Sequence, residues 1–360
     1  MKISFNLLFL YIFIQSPFAW SWGDLGHSAV GEIAERNLTE KGKALVKSIL
    51  GVEPLAVAAT WPDHVRDDKR FKEFAPYHFW DMKEGESAIQ KSNSERGPKD
   101  AHTIVSQAHD LLIGSKLNRA QKMIFLRYFI HILGDVHQPL HLGNPLDMGG
   151  NTCKVKVKIN ENLEEDADLK DEVNNQNKPN AEDKTKCKDT EITVNLHSFW
   201  DSKIIDLIKQ KEALKEFFSY NSLIKIIQKD VKLTLNDISG TPLEWYEETR
   251  KLIPSTYPDK EPTAAENHLY CRIIDLKTKK SVNGKFDESK IPLLDDQYIT
   301  TAMTIVKKQL LLGGLRLAYL LNKIAEDFQE VEKFDEFEVL KGVLIKNENL
   351  LRRPSSKSMK

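Results

Sequence analysis

The stretch QKMIFLRYFIHILGDVHQPLH, residues 121–141, constrains the fold of this chain more than any other. Its apolar residues recur at helical spacing, so its first part is a core helix. Yet it carries His131, Asp135, His137 and His141. His131 and Asp135 lie four residues apart, which puts them on one helical face. Pro139 ends the helix and delivers His141 from the following turn. A buried aspartate beside a histidine costs several kcal/mol unless it is paired or holds a cation. Taken alone, the pair reads as a hydrogen-bonded core pair.

The reading changes because the pattern recurs. LHSFWDSK repeats the spacing with His197 and Asp201, ATWPDHVR offers Asp63, YHFWD offers His78 between aromatics, and WGDLGH offers His27. These histidines and aspartates exceed what one zinc ion needs, since a catalytic zinc takes three protein ligands and a water. Imidazole and carboxylate without thiolate suit zinc used as a Lewis acid on oxygen substrates. The residues therefore point to a multinuclear metal hydrolase acting on phosphate esters. Gly149-Gly150 reads as a tight turn before a strand rather than a phosphate loop, because no helix follows it. His64, His102, His109, His137 and His268 are set apart from the ligands, with His137 expected on the surface or supporting a ligand.

Around these motifs the chain is mainly α, a single helical domain with short β-hairpin insertions. Helical spacing runs through SAVGEIAERNL, SFWDSKIIDLIKQ and ITTAMTIVKKQLLLGGLRLAYLLNKIAEDF. With 41% hydrophobic residues, 360 residues can bury a sizeable core, and a net charge of -1 excludes binding of nucleic acid through a bulk basic field. Residues 1–21 read as a secretory signal peptide cut after Ser21. The globular domain is expected over 22–328, with a charged insertion at about 158–192 carried by a hairpin and a second insertion at about 265–290 turning at Asn283-Gly284. An appended helix and basic tail would occupy 329–360. An exported chain permits disulfides, and among Cys153, Cys187 and Cys271 the pair Cys153–Cys187 brackets the charged insertion. Asn37-Leu38-Thr39 would accept a glycan in a eukaryotic secretory route.

In order along the chain, Trp22-Gly23-x-Leu25-Gly26-His27, Trp61-x-Asp63, His78-Phe79, His131-x3-Asp135, Gln138-Pro139-Leu140-His141, Gly149-Gly150-Asn151 and His197-x2-Trp200-Asp201 resemble the signature of the mung-bean nuclease family. These are the secreted, zinc-dependent class I nucleases, which share a helical fold with the zinc-dependent phospholipases C. The resemblance implies three zinc ions. Asp63, His78, His131 and Asp135 would hold one, and His141, His197 and Asp201 a second. His27, the shared carboxylate of Asp135, and the α-amino nitrogen and carbonyl oxygen of Trp22 would hold the third. Because a peptide nitrogen is not a usable zinc ligand, the third site would be completed only when the bond after Ser21 is cut.

The resemblance further implies hydrolysis of single-stranded DNA and RNA to 5′-phosphate products, with 3′-nucleotidase activity, by a zinc-bridging hydroxide. Arg66 occupies the transition-state arginine position, against a bland reading as a surface ion pair with Asp67 or Asp68. Phe79 would stack an unpaired base while Asp81 reads its polar edge; Trp80 reads as core. Two rivals stand beside this one: a zinc-dependent phospholipase C, and a non-catalytic exported zinc-binding protein. The charged insertion, second hairpin and C-terminal extension have no counterpart in compact family members.

Overall fold

The computed structural model describes residues 22–83, 85–94, 100–160, 189–212, 218–259, 268–278, 280–282 and 286–329. The expected signal peptide, most of the charged insertion and nearly all of the C-terminal extension lie outside the described residues. Those described are mainly helical, as the apolar periodicity implies, with two small antiparallel two-stranded sheets.

Three helices form the frame. They are α1 (Gly23–Arg36), α2 (Glu40–Leu50) and α3 (Arg119–Asp135), and the last starts in a capping box in which Asn118 and Gln121 satisfy each other's backbone N–H groups. From Tyr128 to Asp135 every residue of α3 is buried. The other face of the frame is α4 (Asp296–Ile324), a long helix whose apolar residues pack on all three. At its crossing with α1, a Cβ on Gly314 would fall 2.6 Å from Ile33 Cβ. Only glycine lets the two backbones approach this closely, and overpacking there costs about 1–3 kcal/mol. No single helix among the described residues is long and apolar enough to cross a membrane.

The first sheet pairs β1 (Lys154–Asn160) with β2 (Asp189–Asn195), from Lys154↔Asn195 to Asn160↔Asp189. Val155 and Val157 turn inward and are fully buried, so the alternation fixes the register. The hairpin predicted to carry the charged insertion is therefore present, and residues 161–188 join its two ends. The second sheet pairs β3 (Ile273–Ile274) with β4 (Ser281–Val282). Its turn is not Asn283-Gly284, which follows β4. The chain reverses between β3 and β4 instead, where the Asp275 carboxylate accepts from the backbone N–H groups of Lys277 (3.0 Å) and Thr278 (2.6 Å). A local carboxylate cap of this kind makes a tight turn, and Asn283-Gly284 lies outside the described residues.

The cysteine pairing also differs from expectation. Cys153 is bonded to Cys271, not to Cys187. The two half-cystines are already cross-strand neighbours at an isolated bridge, and Lys154 N donates to Tyr270 O at 2.9 Å, so the bond ties the second hairpin to the base of the first. Bracketing an insertion in sequence proved a weaker guide than pairing between strands.

Candidate metal centre

The end of α3 aims His131 and Asp135 at one point. His78 comes to that point from a 3-10 turn, Lys72–His78, and Asp63 from a short helix, Trp61–His64. His131 Nε2 lies 3.0 Å from His78 Nδ1, 3.4 Å from Asp135 Oδ2 and 3.6 Å from Asp63 Oδ1. His78 Nδ1 is 3.2 Å from Asp135 Oδ2 and 3.7 Å from Asp63 Oδ1. His27, from α1, approaches the other oxygen of Asp135 at 3.3 Å and stacks on His131 with 3.8 Å between ring centroids.

A second group forms beside the first. His141 follows Pro139 in a 3-10 turn, Pro139–Leu142, as the sequence predicts. His197 follows β2 directly, where Asn195 caps the next helical turn by accepting from Ser198 N at 2.7 Å. Asp201 lies one turn on, within a π-helical segment, Phe199–Lys203. His197 Nε2 is 3.2 Å from Asp201 Oδ2 and 3.2 Å from His141 Nε2, and His141 Nε2 is 3.6 Å from Asp201 Oδ1.

Hydrogen bonds at the outer edges of the rings decide what these distances mean. His131 Nδ1 is 2.6 Å from Ala59 O, His141 Nδ1 is 2.6 Å from His78 O, and His197 Nδ1 is 2.7 Å from Gly149 O. A carbonyl oxygen only accepts, so each Nδ1 carries a proton and each ring turns Nε2 inward, the nitrogen whose lone pair is free for a metal whenever the ring is neutral. Those lone pairs meet carboxylate oxygens and one another. His27 Nδ1 and Nε2, Asp63 Oδ1 and Asp201 Oδ2 are all buried without a hydrogen bond. Lone pairs facing lone pairs in a buried space repel unless a cation sits between them, and an outer N–H held by a carbonyl is the arrangement that orients metal-binding histidines. The donor set therefore fits a divalent metal. Asp and Cys atoms also meet at Asp147, Cys153 and Cys271, but there the cysteines are joined to each other.

Burial, working against charge, sets the protonation. Burial raises the Asp63 carboxyl and drives His131 well below its ordinary value. Burial would also raise Asp135 and Asp201, yet the neighbouring histidines hold both below the usual carboxylate range. Burial likewise opposes charging of His141, but Asp135 and Asp201 lift it to about 9.

Trp22 is fully buried, and its indole Nε1–H donates to Gly134 O at 2.7 Å, next to Asp135. Its carbonyl accepts from Gly26 N at 3.2 Å. Arg66 belongs to the same corner as Asp63, whose carboxyl feels its charge. Asp68, one of the partners suggested by the bland reading, is gripped by Arg70 at 2.5 Å.

Beyond His78 the chain extends along 141–143, with Trp80 N donating to His141 O and Met82 N to Gly143 O, each at 2.9 Å. Side chains then alternate. Trp80 (2% exposed) and Met82 turn into the core, Trp80 stacking on His102, while Phe79 (39% exposed) and Asp81 take the other side. Trp80 is core, as expected. Asp81 is pushed up to about 7 by burial and then by the charge of Asp147.

His137 is not on the surface. It is fully buried; its Nδ1–H donates to Leu133 O (2.7 Å), and its Nε2 accepts from buried Arg316 (3.3 Å). Burial and the Arg316 charge lower it to about 3, so it stays neutral. His64 pairs with Asp24, His109 with Asp327, and His268 with Asp259 while stacking on Tyr257. Reasoning from the sequence missed the backbone acceptors Ala59, His78 and Gly149, which no side-chain pattern reveals. The Gly149-Gly150 turn had been found, though not its role. Met148, Gly149 and Gly150 all have positive φ, and a Cβ on Gly149 would meet Leu140 O at 2.3 Å.

The family model described as S1/P1 Nuclease matches residues 22–326. Among curated proteins the chain is similar to Endonuclease 4 of Arabidopsis thaliana, 28% identical over 327 residues that cover 85% of this chain and 90% of that protein. It is also similar to Endonuclease 3 of the same plant, 27% identical over 85% of this chain and 90% of that protein. Nuclease S1 of Aspergillus oryzae is 31% identical over 38% of this chain and 49% of its own length.

Proposed function

Since the chain belongs to the S1/P1 nuclease family, and so to hydrolases of nucleic-acid phosphodiester bonds, we propose that it is a three-zinc nuclease. On this reading it cleaves single-stranded DNA and RNA to 5′-phosphate products and removes 3′-phosphates from nucleotides. The observation that carries the reading is the inward aim of the histidine lone pairs at carboxylate oxygens, with each outer nitrogen tied to a backbone carbonyl. Asp63, His78, His131 and Asp135 would hold one ion, and His141, His197 and Asp201 the second. His27, Asp135 and the backbone of Trp22 would hold the third. Bound zinc supplies a Lewis acid that makes water a nucleophile near neutral pH and neutralises phosphate charge.

The chain's own residues do the rest. Three protein donors at the second site leave a coordination position open, which favours catalysis over a purely structural role. Arg66 presents a planar guanidinium that matches two phosphate oxygens and offsets charge developing in the transition state. Phe79, exposed beside His78, offers a ring to an unpaired base, and Asp81 on the same side accepts from the polar edge of that base. A duplex offers no such free face, so single strands are preferred. The pair Phe79 and Asp81 also favours a nucleotide over a phosphocholine headgroup.

Export with removal of residues 1–21 belongs to this reading, because it would free the Trp22 amine. The deciding experiment measures metal content by elemental analysis on protein beginning at Trp22, with cleavage of single-stranded DNA before and after chelation. About three zinc per chain, and activity lost on chelation and restored by zinc, is the expected result. One zinc or none, with no cleavage, would overturn it; cleavage of a phosphocholine ester alone would transfer the chain to the phospholipases.

A further inference from the structure

We propose that Gln138 is the residue that positions Asp201, committing it to bind metal through one oxygen; this deepens the metal-centre reading and rests on it. Gln138 is fully buried between the end of α3 and the turn that carries His141. Its side-chain carbonyl accepts from Leu140 N at 2.5 Å. A backbone N–H can only donate, so the orientation of the amide is fixed: Oε1 faces Leu140 and the NH2 group faces away. That group donates to Asp201 Oδ1 at 2.7 Å.

Two consequences follow for the His141, His197 and Asp201 group. Asp201 must be an acceptor, since the amide offers it a proton. One of its oxygens is also taken, leaving Oδ2, which is buried without a hydrogen bond 3.2 Å from His197 Nε2, to face a cation. Gln138 thus biases Asp201 toward binding through Oδ2 alone and favours the open position. The same amide caps the turn bearing His141 and reaches Asp201, 63 residues on from Gln138, so one side chain fixes two of the three donors relative to each other. Supporting hydrogen bonds of this kind are worth about 10–100-fold in metal affinity.

The test uses the full mature chain loaded with zinc or with cobalt(II), titrated against a competing chelator. Gln138→Met keeps length and volume but can neither donate nor accept. Gln138→Asn stays polar but is too short to reach both Leu140 N and Asp201. Both variants are expected to bind the most weakly held ion about 10–100-fold less tightly, with the remaining ions held as in the wild type. The cobalt ligand-field absorption of that site should weaken, since freeing Oδ1 raises the coordination number. Wild-type metal affinity and cobalt spectrum in both variants, with only a lower melting temperature, would overturn the proposal and leave Gln138 as a turn cap. Wild-type chain that binds no metal would instead overturn the metal-centre reading itself.

Discussion

The two histidine–carboxylate groups draw on the same residue types and are equally buried, yet they differ in how many donors they gather. The group around His131 gathers Asp63, His78, His131 and Asp135 from three separate segments, enough protein donors to fill a tetrahedral metal. The group around His197 has only three donors, one of whose carboxylate oxygens is already occupied by Gln138. Burial alone therefore does not reveal where reaction occurs. On the proposed reading donor count does, together with what stands beside His78: an exposed aromatic ring and a carboxylate that burial pushes up to about 7. The groups also touch, because Asp135 Oδ2 lies 3.9 Å from His141 Nδ1.

The largest effect is expected at Asp135, which faces His27 with one oxygen and His78 and His131 with the other. Asp135→Asn should remove more than one metal ion per chain and lower kcat/KM by at least about 10³-fold, the several kcal/mol that a metal cluster supplies. Elemental analysis beside a cleavage assay checks both. Loss of a single ion would show that the carboxylate is not shared. Next comes Asp201→Asn, which should cost one ion and about 10²-fold in kcat while sparing the His131 group. Equal damage from the two substitutions would erase the distinction between the groups.

Much of this was legible before any coordinates, for an identifiable reason. Side chains that bind metal must share a helical face or flank a break, so the His131-x3-Asp135 and His197-x3-Asp201 spacings and the Pro139 stop carry geometry directly in the sequence. The strand pairs were readable from alternation, since Val155 and Val157 must both face inward. What could not be read depended on contacts between distant segments or on backbone atoms. Cys153 finds Cys271 because two hairpins are adjacent, and His137 is buried because Arg316 on α4 reaches it. The carbonyls of Ala59, His78 and Gly149 select the tautomers without leaving any trace in residue type. Gln138 stood in the quoted motif, but its role depends on which way its amide is turned, and that is set by Leu140 N.

The exposed ring of Phe79 can be probed without disturbing metal. Phe79→Ala should leave zinc content and kcat unchanged and raise KM for single-stranded substrates about 10-fold, the loss of one stacked base at 1–3 kcal/mol by the usual measure. Duplex substrates should be little affected, so the preference for single strands narrows. An unchanged KM would make Phe79 a surface ring with no part in binding.

The smallest and most discriminating effect concerns Asp81. Burial and then the charge of Asp147 push its carboxyl up to about 7, above the roughly 3.9 of an unfolded aspartate. The native state therefore holds this proton more tightly than the unfolded chain does, and the unfolded chain binds fewer protons between these values. By linkage this contribution to stability is complete below about pH 4 and is lost as pH rises through about 7. Asp81→Asn removes the titration, so metal-free variant and wild type should melt together at pH 4. The variant should gain about 2–4 °C at pH 8, taking roughly 1 kcal/mol for a partly buried side chain that solvent still screens. Base recognition should move the opposite way. If the carboxylate accepts from the base, wild-type KM falls as pH rises through 7, whereas the KM of Asp81→Asn stays flat there. A stability difference without a difference in KM profile would leave Asp81 outside recognition of the base, with Phe79 selecting unpaired strands by stacking alone.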